Sequence, residues 1–92
     1  MIVSFACSVT EKLFYNKFTK RFNSISRQAQ RKLKLLNSAS NINDLRSPPG
    51  NNLESLKGDR IDQHSIRIND QWRICFIWHN GNVHEVCIID YH

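Results

Sequence analysis

The sequence predicts an α+β fold, with two N-terminal helices packed on a small, mainly antiparallel, twisted sheet. Three observations lead there. Apolar residues recur with a helical period up to about residue 46. A Ser47-Pro48-Pro49-Gly50-Asn51-Asn52 stretch then breaks any regular element. Beyond it, short β-branched and aromatic segments alternate with turn dipeptides. The 92 residues suffice for one domain, 1–92, and for one modest core, which favours a shallow groove against a large partner over a deep closed pocket. Hydrophobic residues make up 40% and charged residues 23%, a globular rather than a disordered balance.

Met1-Ile2-Val3-Ser4-Phe5 carries no basic residues ahead of its apolar ones, so residues 2–6 read as a short strand rather than a signal peptide. Ser8-Val9-Thr10-Glu11 fits a capping box and predicts a helix to about Phe18 that buries Leu13, Phe14 and Phe18. Asn23 or Ser24 can cap a second helix running to about Asn37. At about 100° per residue, Ile25, Ala29, Leu33 and Leu36 share one face of it, and Arg27, Arg31 and Lys34 the opposite one. A helical turn is expected around Ile42–Arg46. In the Pro-Pro-Gly loop, proline removes backbone donors and glycine frees φ, so neither helix nor central strand survives.

The second half reads as a meander. Leu53 and Leu56 flank a short strand that runs into a Lys57-Gly58-Asp59-Arg60 turn. A strand over His64–Ile68, a turn at Asn69-Asp70 and a strand over Trp72–Trp78 follow. Asn80-Gly81 is a strong type I′ hairpin signal, and the last strand runs from Val83 to Ile89. A plain two-residue turn there pairs Ile88 with Arg73 and Val86 with Cys75, which predicts Arg73, Asp90 and His92 on one face.

The formal charge is +5, from 13 Lys+Arg against 8 Asp+Glu. From Lys12 to Lys34 eight basic residues occur without an acidic one between them, which suits a polyanion or an acidic protein as partner; a solvated helix face is the plain alternative. Cys7, Cys75 and Cys87 are odd in number and irregularly spaced, which argues against a disulfide framework. They read as small, mostly buried thiols in a reducing, cytoplasmic setting. With no CxxC or HExxH spacing, neither a metal nor another cofactor is expected. No apolar run is long enough to make a transmembrane helix, and no membrane partner is expected.

Arg73 is the odd residue of an apolar strand. It is either a packed structural ion-pair partner or an anchored cation aimed at a phosphate, which a guanidinium can hold bidentately. Asp90-Tyr91-His92 supplies a carboxylate, a phenol and an imidazole, and histidine is the usual proton carrier near neutral pH. His64, His79 and His84 read as surface or satisfied sheet histidines.

The run Leu53-Glu54-Ser55-Leu56-Lys57-Gly58-Asp59-Arg60, the run Ser65-Ile66-Arg67-Ile68-Asn69-Asp70-Gln71-Trp72-Arg73-Ile74-Cys75-Phe76 and the terminal Asp90-Tyr91-His92 together resemble the HigB toxins of the RelE/ParE-like superfamily, over essentially the whole chain. The resemblance implies a RelE-like fold, a type II toxin–antitoxin system and an mRNA interferase that cuts translated message in the ribosomal A site. It also implies a HigA-like helix-turn-helix antitoxin, with operator DNA reached only through that antitoxin. Carried over residue by residue, Lys57 would contact the backbone phosphate, Arg73 would stabilise charge at the scissile phosphate, and Asp90, Tyr91 and His92 match the terminal tripeptide. Some members carry histidine three residues before the lysine; Glu54 stands there in this chain, so a carboxylate would replace the imidazole.

That chemistry calls for no metal. The 2′-hydroxyl attacks the adjacent phosphate, with a base, a cation for the pentavalent oxyanion and an acid for the leaving group. Arg60 and Arg67 are expected to bind RNA, and Arg27, Arg31 and Lys34 the ribosome or the antitoxin. Two alternatives stand beside this reading: a gyrase-inhibiting toxin on the same fold, and a non-catalytic basic domain that docks on RNA or the ribosome.

Overall fold

The computed structural model describes residues 1–55 and 63–90. Two helices, α1 (Ser8–Phe14) and α2 (Ser26–Ser38), precede four strands: β1 (Glu54–Ser55), β2 (Gln63–Arg67), β3 (Trp72–His79) and β4 (Asn82–Asp90). The strands form one antiparallel sheet in the order β1-β2-β3-β4. The Lys57-Gly58-Asp59-Arg60 turn and Tyr91-His92 lie outside the described residues.

The N-terminal segment pairs with the free edge of β4 through two parallel bridges, Ile2 to Val83 and Phe5 to Val86, rather than as a continuous strand. Its amides and carbonyls satisfy an edge that would otherwise offer open hydrogen-bonding groups to other chains. The capping box expected at Ser8 does not form. Ser8 is the first helical residue and Cys7 takes the cap position, with φ −136° and ψ 124° and no close side-chain capping bond. The helix also stops at Phe14, with Asn16 left-handed at φ 63° just beyond it. Phe18, expected to be buried, is therefore carried out to solvent at 76% exposure, and Phe22 enters the core in its place.

The periodicity of α2 is realised. A short 3-10 turn at Asn23–Ile25 leads into it, Ile25, Ala29, Leu33 and Leu36 are buried, and Arg27, Arg31 and Lys34 are exposed. Its apolar face meets Ile66, Ile74, Phe76, Val83, Val86 and Ile88 of the sheet in one core. Full burial of each aliphatic side chain is worth about 1.5–3 kcal/mol. α1 is tied to the same layer by the buried Thr10, whose Oγ1 accepts a hydrogen bond from the Ile88 amide at 3.1 Å.

The helical turn expected around Ile42–Arg46 is present as a 3-10 turn, capped by Asn41, with Asp44 accepting from the Ser40 and Asn41 amides. The Pro-Pro-Gly loop closes as a further 3-10 turn at Pro49–Asn51. Asn51 is fully buried and holds the loop shut. Its Nδ2 donates to the carbonyls of Leu45 (3.1 Å) and Ser47 (3.2 Å), and its Oδ1 accepts from the Lys32 ammonium. Burial, with Arg31 and Arg67 nearby, lowers the Lys32 pKa.

The Asn80-Gly81 turn has positive φ at both residues, 51° and 76°, as type I′ requires. The register that follows is not the expected one. His79 pairs with Asn82, Trp78 with Val83 and Ile77 with His84, but Cys75 then pairs with Cys87 and Arg73 with Ile89. Glu85, at φ 54°, is the extra residue of a β-bulge, and its amide donates to Ser4 Oγ at 2.9 Å. One inserted residue reverses the facing of everything after it. Asp90 accordingly pairs with Trp72, on the helix-covered side, and not on the face that carries Arg73.

Candidate functional site

The sheet face away from the helices carries Arg73. Register places Glu54 opposite Ser65, Ser65 opposite Cys75, and Arg67 opposite Arg73. Arg73 is 5% exposed although, among the described residues, no helix covers this face. The loop that precedes β1 packs on it. Asn52, left-handed at φ 44° after the Pro49–Asn51 turn, aims its carbonyl at the guanidinium. Arg73 Nη2 donates to that oxygen at 2.6 Å and to the Ser65 carbonyl at 3.2 Å, while Nε donates to Ser65 Oγ at 2.9 Å.

Among the described residues, Glu54 Oε2 lies 3.9 Å from Nη2 on a half-exposed side chain. That is too long for a fork-to-fork pair. A guanidinium in this position can hold a phosphate oxygen bidentately.

The other sequence-derived candidates fall around this centre unevenly. Glu54 joins Arg73 as expected. Arg67 sits across from it on β2, its guanidinium paired with the exposed Asp70 carboxylate. Asp90 ends β4 beside Trp72 and accepts from Gln71 Nε2 at 3.3 Å, which corrects the predicted Arg73–Asp90 face. Lys57, Arg60, Tyr91 and His92 are outside the described residues. Arg27, Arg31 and Lys34 lie on α2, in the helix layer behind the sheet, so they form a second, separate cationic surface. Arg27 and Arg31 line an open groove of about 520 Å³ with Asn23, Ser24, Ser26 and Gln28.

Sequence reasoning missed Ser65 and Asn52, which bond Arg73, and Asn51 and Lys32, which close the loop before Asn52. A polar serine in the alternating His64-Ser65-Ile66 run was the one available signal. The Lys32–Asn51–Asn52 relay has none, because it joins a helix to a loop far away in sequence. Among the described residues no group of His, Cys, Asp and Glu side chains is arranged to hold a metal ion, and no helix is long and apolar enough to cross a membrane.

Three comparisons bear on identity. A stretch of 59 residues is 44% identical to Toxin HigB-1 of Vibrio cholerae, covering 64% of this chain and 62% of that protein. A stretch of 56 residues is 43% identical to an uncharacterized protein of Haemophilus influenzae, covering 61% of this chain and 55% of the relative. These matches thus span less than two thirds of the length of either relative. A chain of the YoeB–YefM complex from Staphylococcus aureus superposes over 100% of this chain and 98% of its own length, with a TM-score of 0.58 at 17% identity, which is a likeness of fold. The family model for the RelE-like toxin HigB of type II toxin–antitoxin systems matches residues 4–92. The chain therefore belongs to the HigB-like family of RelE-like toxins.

Proposed function

We propose that this chain is the toxin of a type II toxin–antitoxin pair and a ribosome-dependent mRNA interferase. The supporting observation is Arg73, a guanidinium held by Ser65 and Asn52 on a sheet face that, among the described residues, no helix covers. In the proposed reaction the 2′-hydroxyl of the message attacks the adjacent phosphorus. The 5′-oxygen of the next nucleotide leaves, giving a 2′,3′-cyclic phosphate and a 5′-hydroxyl. Arg73 and Lys57 stabilise the charge that builds on the phosphoryl oxygens. Glu54, 3.9 Å from Arg73, is the proposed acceptor of the hydroxyl proton. His92 is the proposed proton carrier for the leaving oxygen, and Tyr91 is proposed to stack on a base. The ribosome is the proposed source of substrate geometry.

A HigA-like helix-turn-helix antitoxin is the proposed partner, reaching operator DNA on the toxin's behalf. The exposed Arg27, Arg31 and Lys34 are the proposed contact surface for the antitoxin or for ribosomal RNA. The test is induction in a host followed by mapping of 5′ ends on translated message, with wild type beside Arg73→Lys and Glu54→Gln. Arg73→Lys keeps the charge but loses the fork, and should lower cleavage about 100-fold or more. Ends that ignore translation, or full toxicity in a folded Arg73→Lys protein, would overturn the reading. DNA-damage signalling without new RNA ends would point to gyrase instead.

A further inference from the structure

The three cysteines lie at residues 7, 75 and 87, yet the fold gathers them at one place. Cys75 and Cys87 are direct partners on β3 and β4. Cys7, at the cap of α1, is brought to Cys87 by two hydrogen bonds, one on each side of the pair. The Ala6 amide donates to the Val86 carbonyl at 2.9 Å, and the Ile88 amide donates to Thr10 Oγ1 at 3.1 Å. All three side chains are half-buried thiols.

We propose that Cys7 and Cys87 are a peroxide-reactive thiol pair that closes to an intramolecular disulfide, with Cys7 the attacking and Cys87 the resolving residue. The two environments differ in the required direction. At Cys7, burial alone would raise the pKa, but the Thr10 and Val9 amides and the Thr10 and Cys87 side chains outweigh it and bring the pKa below the usual thiol value. At Cys87, burial and then the neighbouring Cys7 push it up, so this thiol keeps its proton.

In the first step the Cys7 thiolate attacks one oxygen of hydrogen peroxide. The O–O bond breaks, leaving Cys7 as a sulfenic acid and releasing hydroxide, which takes a proton from solvent. In the second, the Cys87 sulfur attacks the Cys7 sulfur. The S–O bond breaks and the hydroxide leaves as water with the Cys87 proton. The sum is two thiols and one peroxide to one disulfide and two waters. Direct cross-strand partners such as Cys75 and Cys87 also lie within the Cα separation that a disulfide spans. The competing bridge is thus built into the same cluster and is distinguished by the experiment.

The purified chain is treated with hydrogen peroxide in several-fold excess, then analysed by intact mass and by non-reducing peptide mapping. The expected result is a loss of two hydrogens, restored by dithiothreitol, with peptides joined through Cys7 and Cys87. Cys75→Ser should still form the bridge, while Cys7→Ser and Cys87→Ser should not. The bridge would close a loop spanning most of the chain and should raise Tm by roughly 10 °C. Iodoacetamide labelling of the untreated protein keeps the test independent of how the serine variants fold: Cys7 should be alkylated first. A Cys75–Cys87 linkage, an intermolecular dimer alone, or Cys87 labelled ahead of Cys7 would overturn the proposal.

Discussion

Asn51→Ala should damage this protein more than its place in a surface loop suggests. The side chain is fully buried and makes three hydrogen bonds, two to carbonyls and one from Lys32. Losing the donor to the Leu45 carbonyl strands an acceptor beside a fully buried residue, at about 1–3 kcal/mol. The Ser47 carbonyl is on an exposed residue and can turn to water, so its loss is worth about 0.5–1 kcal/mol. Lys32 is only half-buried and can also find solvent. A small cavity adds of order 1 kcal/mol. The sum is about 2.5–5 kcal/mol, or a fall in Tm of roughly 10–40 °C for a domain of this size. Urea unfolding followed by circular dichroism measures it, with the midpoint moving and the slope unchanged. Asn51 closes the turn just before Asn52, whose carbonyl accepts from Arg73, so the proposed mRNA cleavage should fall even at temperatures where the variant is folded. A loss below about 1 kcal/mol, or unchanged cleavage in the folded variant, would refute the view that this loop holds the arginine.

Other outcomes follow from single observations. Glu85→Gly should be neutral or stabilising by up to about 1 kcal/mol in the same unfolding assay, because Glu85 carries a left-handed φ of 54° that glycine adopts without strain. Phe22→Ala should cost about 3–5 kcal/mol, whereas Phe18→Ala should leave the urea midpoint nearly unchanged, since Phe22 is fully buried and Phe18 is 76% exposed. The Asn41 and Ser40 backbone amides, helped by the Ser40 hydroxyl against a small opposing effect of burial, hold the Asp44 pKa below the usual value. A depressed carboxyl stabilises fully above its unfolded pKa and loses that contribution as pH falls through the folded one. Asp44→Asn should therefore flatten the acid limb of a midpoint-versus-pH series, and an unchanged limb would count against the capping role.

Arg73 is both a candidate catalytic group and a structural one, since Ser65 and the Asn52 carbonyl depend on it. This makes Arg73→Ala ambiguous, because lost activity could follow from a loosened loop. Arg73→Lys, with folding monitored, separates the two roles better. The two cationic surfaces are separable by the same logic. Charge reversal at Arg31 should alter partner binding, because it lies in the helix layer and not on the sheet face of Arg73.

Local chemistry was enough to locate most of the architecture. The helical period of Ile25, Ala29, Leu33 and Leu36, the helical turn at Ile42–Arg46, the breaking loop and the Asn80-Gly81 turn each act within a few residues, and each appears where the sequence predicts it. Arg73 stood out as a charge in an apolar strand, and the quoted motifs pointed to the family. The N-terminus of α1 and the facing of Asp90 needed tertiary information. A capping box competes with whatever the preceding chain is doing, and here residues 1–6 are already paired to β4, which puts Cys7 at the cap. The bulge at Glu85 has no turn residue to announce it. It exists because the Ser4 hydroxyl, 81 positions away, accepts the displaced amide, and that one inserted residue moves Asp90 to the helix side while Arg73 stays on the open face. Period-two reasoning depends on an unbroken count, so a single long-range hydrogen bond was sufficient to defeat it.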